Sequence, residues 1–357
     1  MSAIASRSTD LPGDPSRSAP PSALHRGAIV VDMTMPWGDY AQRAELKPGT
    51  LDRLIDSGYT MVSLTVAQDR TPFAEAMASL AKERRFFLER PDRFVLVDTA
   101  ADVERAKAEG KLAVAFHFQG CNPLEGKLEN VALFYDLGIR HMLLAYNMRN
   151  LAADGCHERT DAGLSRFGMA LVQEMNRVGM IVDVTHVGHR SSLDAIEAST
   201  APVIFSHSNP RAVFEHERNI RDDQIRACAA SGGVVGINGL DLFLGGPPTV
   251  ELFLRHMRHC LDLVGPDHVG LGLDFVYDPE TLTNVLIRGT AQRYPAGSGY
   301  DRARVPQFFQ PEQVPAVTDG LSAAGWSDAE VGKILGGNWM RVARQAWRPA
   351  NGGRSTA

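Results

Sequence analysis

The sequence predicts a single (β/α)8, or TIM, barrel, an α/β fold. Three observations predict it. Short β-branched apolar runs alternate with longer amphipathic patterns; eight such runs fall between residues 28 and 273; and the runs are apolar on both faces, as strands covered by helices are. Eight repeats in that span favour closure over an open doubly wound sheet. The rival fold would carry GxGxxG after a strand. Gly270-Leu271-Gly272 is the nearest approach, and position 275 is Phe.

Taken in order, the expected strands are 28–32, 60–64, 112–118, 141–145, 180–184, 203–206, 233–238 and 269–273. Amphipathic helical patterns lie between them at 72–89, 163–178, 191–198, 222–230 and 250–263. An irregular stretch, 277–311, carries Tyr294, Tyr300 and Gly297-Ser298-Gly299; a loop of that length in a compact domain is functional or disordered. Two further helices follow at 311–324, with Pro in its first turn, and 327–335, opened by Ser327 and Glu330 as a capping box. The expected layout is a Ser/Pro-rich disordered tail over 1–24, one barrel domain with C-terminal helices over 25–349, and a short disordered tail over 350–357.

Composition narrows the function classes. The 357 residues are 44% hydrophobic and 22% charged with a net charge of −5, which provides no basic stripe for nucleic acid. No apolar run reaches a membrane span, and the N-terminus lacks the charged and apolar regions of a secretory signal, so no membrane anchor and a cytoplasmic setting are expected. Cys121, Cys156, Cys228 and Cys260 show no metal or disulfide spacing and read as reduced thiols, three of them buried. A homodimer is compatible with the sequence, which leaves the oligomeric state open.

In a barrel of this kind chemistry belongs at the C-terminal ends of the strands. Those ends carry Asp32 and Thr34, His117 and Gln119, Tyr146 and Asn147, His186, His207, Asn238 and Asp274. Polar and imidazole groups gathered at one end of apolar strands point to a metal or acid/base site. Elsewhere, His256 and His259 beside Arg255 and Arg258 read as a solvated helix face, and His157 and His189 as loop residues with no evident partner.

Several longer matches make the reading specific: Asp183-Val184-Thr185-His186, Phe205-Ser206-His207-Ser208-Asn209, Arg218-Asn219 before Asp222-Asp223, Gly232-Gly233-Val234-Val235, Gly270-Leu271-Gly272-Leu273-Asp274-Phe275 and Gly336-Gly337-Asn338-Trp339. Together these resemble the membrane (renal) dipeptidase family, peptidase family M19, in order from about residue 25 to 347. The resemblance implies a metal-dependent hydrolase barrel of the amidohydrolase type that cleaves dipeptides with zinc. It implies His186 and His207 as ligands of one zinc, Asp274 as serving the other zinc and the attacking water, and Arg218 as the clamp on the substrate carboxylate.

The chain also departs from that pattern. The family's His-x-Asp after the first strand falls on Thr34 and Pro36, or with the alignment shifted by two on Asp32 and Thr34, and neither restores the pair; its bridging Glu falls on Gln119, and its His after the fourth strand on Tyr146. A second metal is therefore not expected. One divalent metal, zinc by type, is expected on His186 and His207 with Gln119; His117, on the same strand face as Gln119, is a candidate substitute ligand.

Two functions follow. The first is a metallohydrolase acting on a small dipeptide-like or amide substrate bearing a carboxylate. Its catalytic residues are Asp274 and Tyr146, and its substrate-binding residues Arg218 and Asn238. The second is a barrel that has lost metal-dependent hydrolysis and binds a small carboxylate, or uses Asp274 and Tyr146 for metal-free acid/base chemistry. An ion pair of Arg218 with Asp222 is the structural alternative to the clamp.

Overall fold

The computed structural model describes residues 21–38, 43–284, 293–295, 297–300 and 304–349. Most of the expected tails, 1–20 and 350–357, and part of the irregular stretch lie outside the described residues. The strands are β1 (Val31–Pro36), β2 (Met61–Gln68), β3 (Phe94–Leu96), β4 (Leu112–Gln119), β5 (Ile139–Leu143), β6 (Ile181–Asp183), β7 (Val235–Ile237) and β8 (Val269–Leu271). All pair in parallel, in the order β6-β5-β4-β2-β1-β8-β7. The ring closes through 203–206, which bridges Asp183 to Ile204 on one side and Phe205 to Val235 on the other. That stretch is the sixth expected strand, reduced to single bridges. β3, which no expected strand covers, lies outside the ring and pairs with the start of β4.

The first strand lies further along the chain than expected. β1 runs on through Met33, Thr34, Met35 and Pro36, with an irregularity between Asp32 and Met35. Proline is tolerated at its last residue, where no further ladder N–H is needed.

Helices cover the ring. Phe73–Leu88, Arg166–Val178, His189–Ala198, Asp222–Ala230 and Val250–Val264 stand where the amphipathic patterns predict, and Ser327 and Glu330 form their capping box. The main core lies between strands and helices. A second cluster, including Val31, Met61, Ala113, Ile181 and Ile204, fills one end of the barrel under Trp339 and Met340 of the helix Asn338–Ala346. Gly236 and Gly272 leave no room for a Cβ, because the Ser206 carbonyl oxygen sits against both. Among the described residues no helix is long and apolar enough to cross a membrane.

One expectation about a helix face is corrected. His256 is not solvated: it is buried and its Nε2 meets the Leu244 carbonyl at 3.0 Å, while His259 is half-buried and pairs with Asp222 at 2.8 Å. Phe253, His256, Met257 and Cys260 form one buried stripe, and the arginines flank it.

Candidate active site

The carboxyl ends of the strands converge on one polar centre. Among the described residues four non-glycines have positive φ, and three of them are here: Asn147 (62°), His186 (66°) and Asp274 (57°). Left-handed backbone held in this way by the surrounding packing is concentrated at functional sites.

His186 and His207 face each other, Nε2 to Nε2, at 3.0 Å. Asn147 Oδ1 lies 2.6 Å from His186 Nδ1, and Ser206 Oγ lies 2.7 Å from His207 Nδ1. Tyr146 stacks on the His186 ring at 4.1 Å. Burial, and then the charge of Arg218, hold both imidazoles well below the ordinary histidine range, so they are neutral.

Arg218 is buried with them. Its Nε donates toward His186 Nδ1 (3.1 Å), one terminal nitrogen to Ser208 Oγ (3.2 Å) and the other to the His207 carbonyl (2.8 Å). Asp222 instead takes His259. Asp274 accepts from Asn238 Nδ2 at 3.2 Å, and burial raises its pKa to about 7 against the opposing pull of Arg218. Tyr146 shares a hydrogen bond with Tyr294 (2.7 Å, OH to OH), and burial raises its pKa to about 12.

His117 and Gln119 are drawn into a different arrangement. A buried chain runs inward from β6: Asp183 to His141 (3.2 Å), His141 to Ser63 (3.0 Å), Ser63 to His117 Nδ1 (2.9 Å), and His117 Nε2 to Thr65 (2.7 Å). Gln119 Nε2 donates to the same Thr65 hydroxyl at 3.0 Å. Both ring nitrogens of His117 thus meet hydroxyls, and its ring stacks on His141 at 4.2 Å. Thr34 turns its hydroxyl onto the Met33 carbonyl.

Two cavities meet at His186. One has Gln68, Gln119, Tyr146, His186 and Asp274 as its polar part, and Pro36, Leu240, Leu242, Phe243, Leu282 and Phe308 among its apolar wall; Tyr294 and Tyr300 complete it. The other is polar and lined by Cys156, Glu217, Arg218 and Arg221 among others. The tyrosines come from the irregular stretch after β8, so that stretch helps to roof the site. His157, without an evident partner in the sequence, lies between Glu217 and Tyr300, and His189 pairs with Asp223 at 2.7 Å. The pairing of His157 with both neighbours joins residues 60 and 143 positions away, which no local pattern reveals.

A sequence model of the membrane dipeptidases (peptidase family M19) matches residues 65–286. An uncharacterized dipeptidase of Schizosaccharomyces pombe is 36% identical over 214 residues, 57% of this chain and 51% of that one. The dipeptidase tcpJ of Claviceps purpurea is 32% identical over 259 residues, 71% of this chain and 56% of that one. The chain thus spans little more than half the length of these two relatives. Among solved structures, an amidohydrolase from Pseudomonas aeruginosa superposes with a TM-score of 0.80 at 28% identity, covering 91% of this chain and 98% of that one. A metallo peptidase from Rhodobacter sphaeroides, liganded with a phosphinate mimic of L-Ala-D-Ala, shares the fold with a TM-score of 0.71 at 22% identity, covering 90% and 100%. With the family's sequence model spanning more than half of the residues, the chain belongs to the membrane dipeptidase family, peptidase family M19.

Proposed function

We propose that this barrel is a divergent hydrolase of the family, acting on a small amide or dipeptide-like substrate that bears a carboxylate, and that it is a poor catalyst on ordinary dipeptides. The observation that carries the reading is Asp274: a half-buried carboxyl with a pKa near 7, on strained backbone, facing a largely apolar cavity beside His186 and Tyr146. A carboxyl poised near neutrality is suited to accept the proton of an attacking water.

The donor set does not fit a pair of metal ions. Pro36 has no ligand atom, Gln119 is neutral and its amide nitrogen is engaged by Thr65, and both nitrogens of His117 meet hydroxyls. Among the described residues no group of three His, Cys, Asp or Glu side chains is placed to hold a metal. A single ion would have His186 and His207 where zinc normally takes three protein ligands, so binding would be weak. The chemistry is therefore assigned to the chain's own groups. Asp274 takes a proton from water. Tyr146, held protonated by its burial, donates toward the developing oxyanion. Asn238 orients Asp274, and Arg218 attracts the substrate carboxylate. Four free thiols suit a reducing, cytoplasmic setting.

A second reading, a non-hydrolytic barrel that binds a small carboxylate, is favoured by one observation: His186 and His207 satisfy each other. A panel of L,L and L,D dipeptides and N-acyl amino acids, assayed with and without zinc or manganese, separates the two. Slow turnover that Asp274→Asn abolishes supports the hydrolase. Binding without turnover of any member supports the second reading, and rapid turnover of ordinary dipeptides contradicts the proposed weakness.

A further inference from the structure

One hydrogen-bonded chain connects the two cavities, and the mechanism above does not use it. Glu217, half-exposed on the polar side, has Oε2 2.8 Å from His157 Nδ1; His157 Nε2 is 3.0 Å from the Tyr300 hydroxyl; and Tyr300 lines the apolar cavity that Asp274 faces. The His157 side chain is fully buried, and its ring meets Tyr300 edge-on at 5.4 Å. An acid, an imidazole and a phenol aligned from solvent to a substrate cavity have the order of a proton relay, in which the outer carboxylate fixes the ring and the ring serves the terminal hydroxyl.

We infer that Tyr300 is the catalytic proton donor to the leaving group, with His157 and Glu217 its positioning residues. This rests on the hydrolase reading above. In the step, the C–N bond breaks, its electron pair goes to nitrogen, and that nitrogen takes the Tyr300 proton. The phenolate recovers a proton from His157 Nε2, and the imidazole is recharged from water at Glu217. Water supplies the hydroxyl to the acyl carbon, and its other proton goes to Asp274. No oxidant, reductant or second substrate is needed.

The surroundings suit the direction of transfer. Burial opposes a charged ring at His157, but the Cys156 thiol and the Glu217 carboxylate more than offset it, so its pKa lies above the ordinary value. The other groups facing the relay are His216 against His157, and Tyr146, Tyr294 and Arg218 around Tyr300. His216, pushed down to about 4 by burial, is neutral and does not compete for the proton. The apolar wall contributed by Leu240, Leu242 and Phe308 favours a substrate whose leaving amine or acyl part is apolar.

The test compares two substrates with one acyl group: an alkyl amide, whose leaving nitrogen needs a proton, and a 4-nitrophenyl ester, whose leaving group does not. Tyr300→Phe should lower kcat on the amide by about 100-fold or more and on the ester by less than about threefold. Glu217→Gln should lower amide turnover partway and move the alkaline limb of its pH profile to lower pH, whereas His157→Gln should lower turnover and abolish that limb. Equal losses on amide and ester would show that Tyr300 merely holds the roof in place and would overturn the inference. If the wild-type protein cleaves neither substrate, the hydrolase reading fails. The relay itself is then decided by the imidazole NMR titration of His157. A midpoint that Glu217→Gln lowers by about one pH unit and Tyr300→Phe also moves supports it, and a midpoint unmoved in both variants overturns it.

Discussion

Replacing Asp274 by asparagine is expected to stabilise the protein above neutral pH while removing its proposed base. Asparagine matches the carboxyl in shape, tolerates the φ of 57°, and keeps a partner for Asn238. The size of the effect follows from linkage. Burial raises the Asp274 pKa from 3.8 to about 7, so folding favours the protonated form. Below pH 3.8 nothing is lost. Between 3.8 and 7 the wild type loses stability as pH rises, and above 7 the full penalty of a buried charge remains. About three pH units at roughly 1.4 kcal/mol each set a ceiling of about 4 kcal/mol. Asp32, also raised to about 7 by burial, is present in both proteins and drops out of the comparison to first order. Urea unfolding of wild type and Asp274→Asn, with chelator in both, should give curves that agree near pH 4 and separate in favour of the variant by pH 8. A gap independent of pH, or a variant less stable at pH 8, would refute the reasoning.

Other consequences are more local. Gly272→Ala would drive a Cβ into the Ser206 carbonyl and should cost about 3 kcal/mol or more, read as a lower urea midpoint or insoluble protein. Lys47→Met should cost about 3–5 kcal/mol, because Glu83, buried with Lys47 at 2.6 Å and Trp37 Nε1 at 2.7 Å, would keep its charge without the cation; thermal unfolding reads this directly. His117→Gln should leave zinc affinity unchanged in equilibrium dialysis, because both nitrogens of His117 already meet the Ser63 and Thr65 hydroxyls.

Much of the fold was legible because a parallel barrel writes its strands as apolar runs. All eight runs occupy ring positions, including 203–206, which keeps its place through single bridges. The first run ends later than expected because Pro36 and the polar Thr34 disguise a strand that remains buried throughout. At the site, His186, His207 and Asp274 stood out because each ends an apolar run, and the structure gathers them around one centre. Ser63 and His141 did not, because a polar residue alternating with apolar ones on a strand carries no mark of whether it faces solvent or a barrel interior. His157, Glu217 and Tyr300 come together only when the barrel closes and the stretch after β8 folds over it. His256 was legible in principle: Phe253, Met257 and Cys260 mark its helical stripe, and the adjacent arginines masked it.

The proposed reduction of the paired metal site within the family's barrel is tested most directly by metal stoichiometry. Protein produced with excess zinc and freed of loosely bound ions by gel filtration should carry no more than one zinc per chain by elemental analysis, since Pro36 and Gln119 supply no carboxylate and His186 with His207 supply only two imidazoles. Two tightly held ions per chain would contradict it.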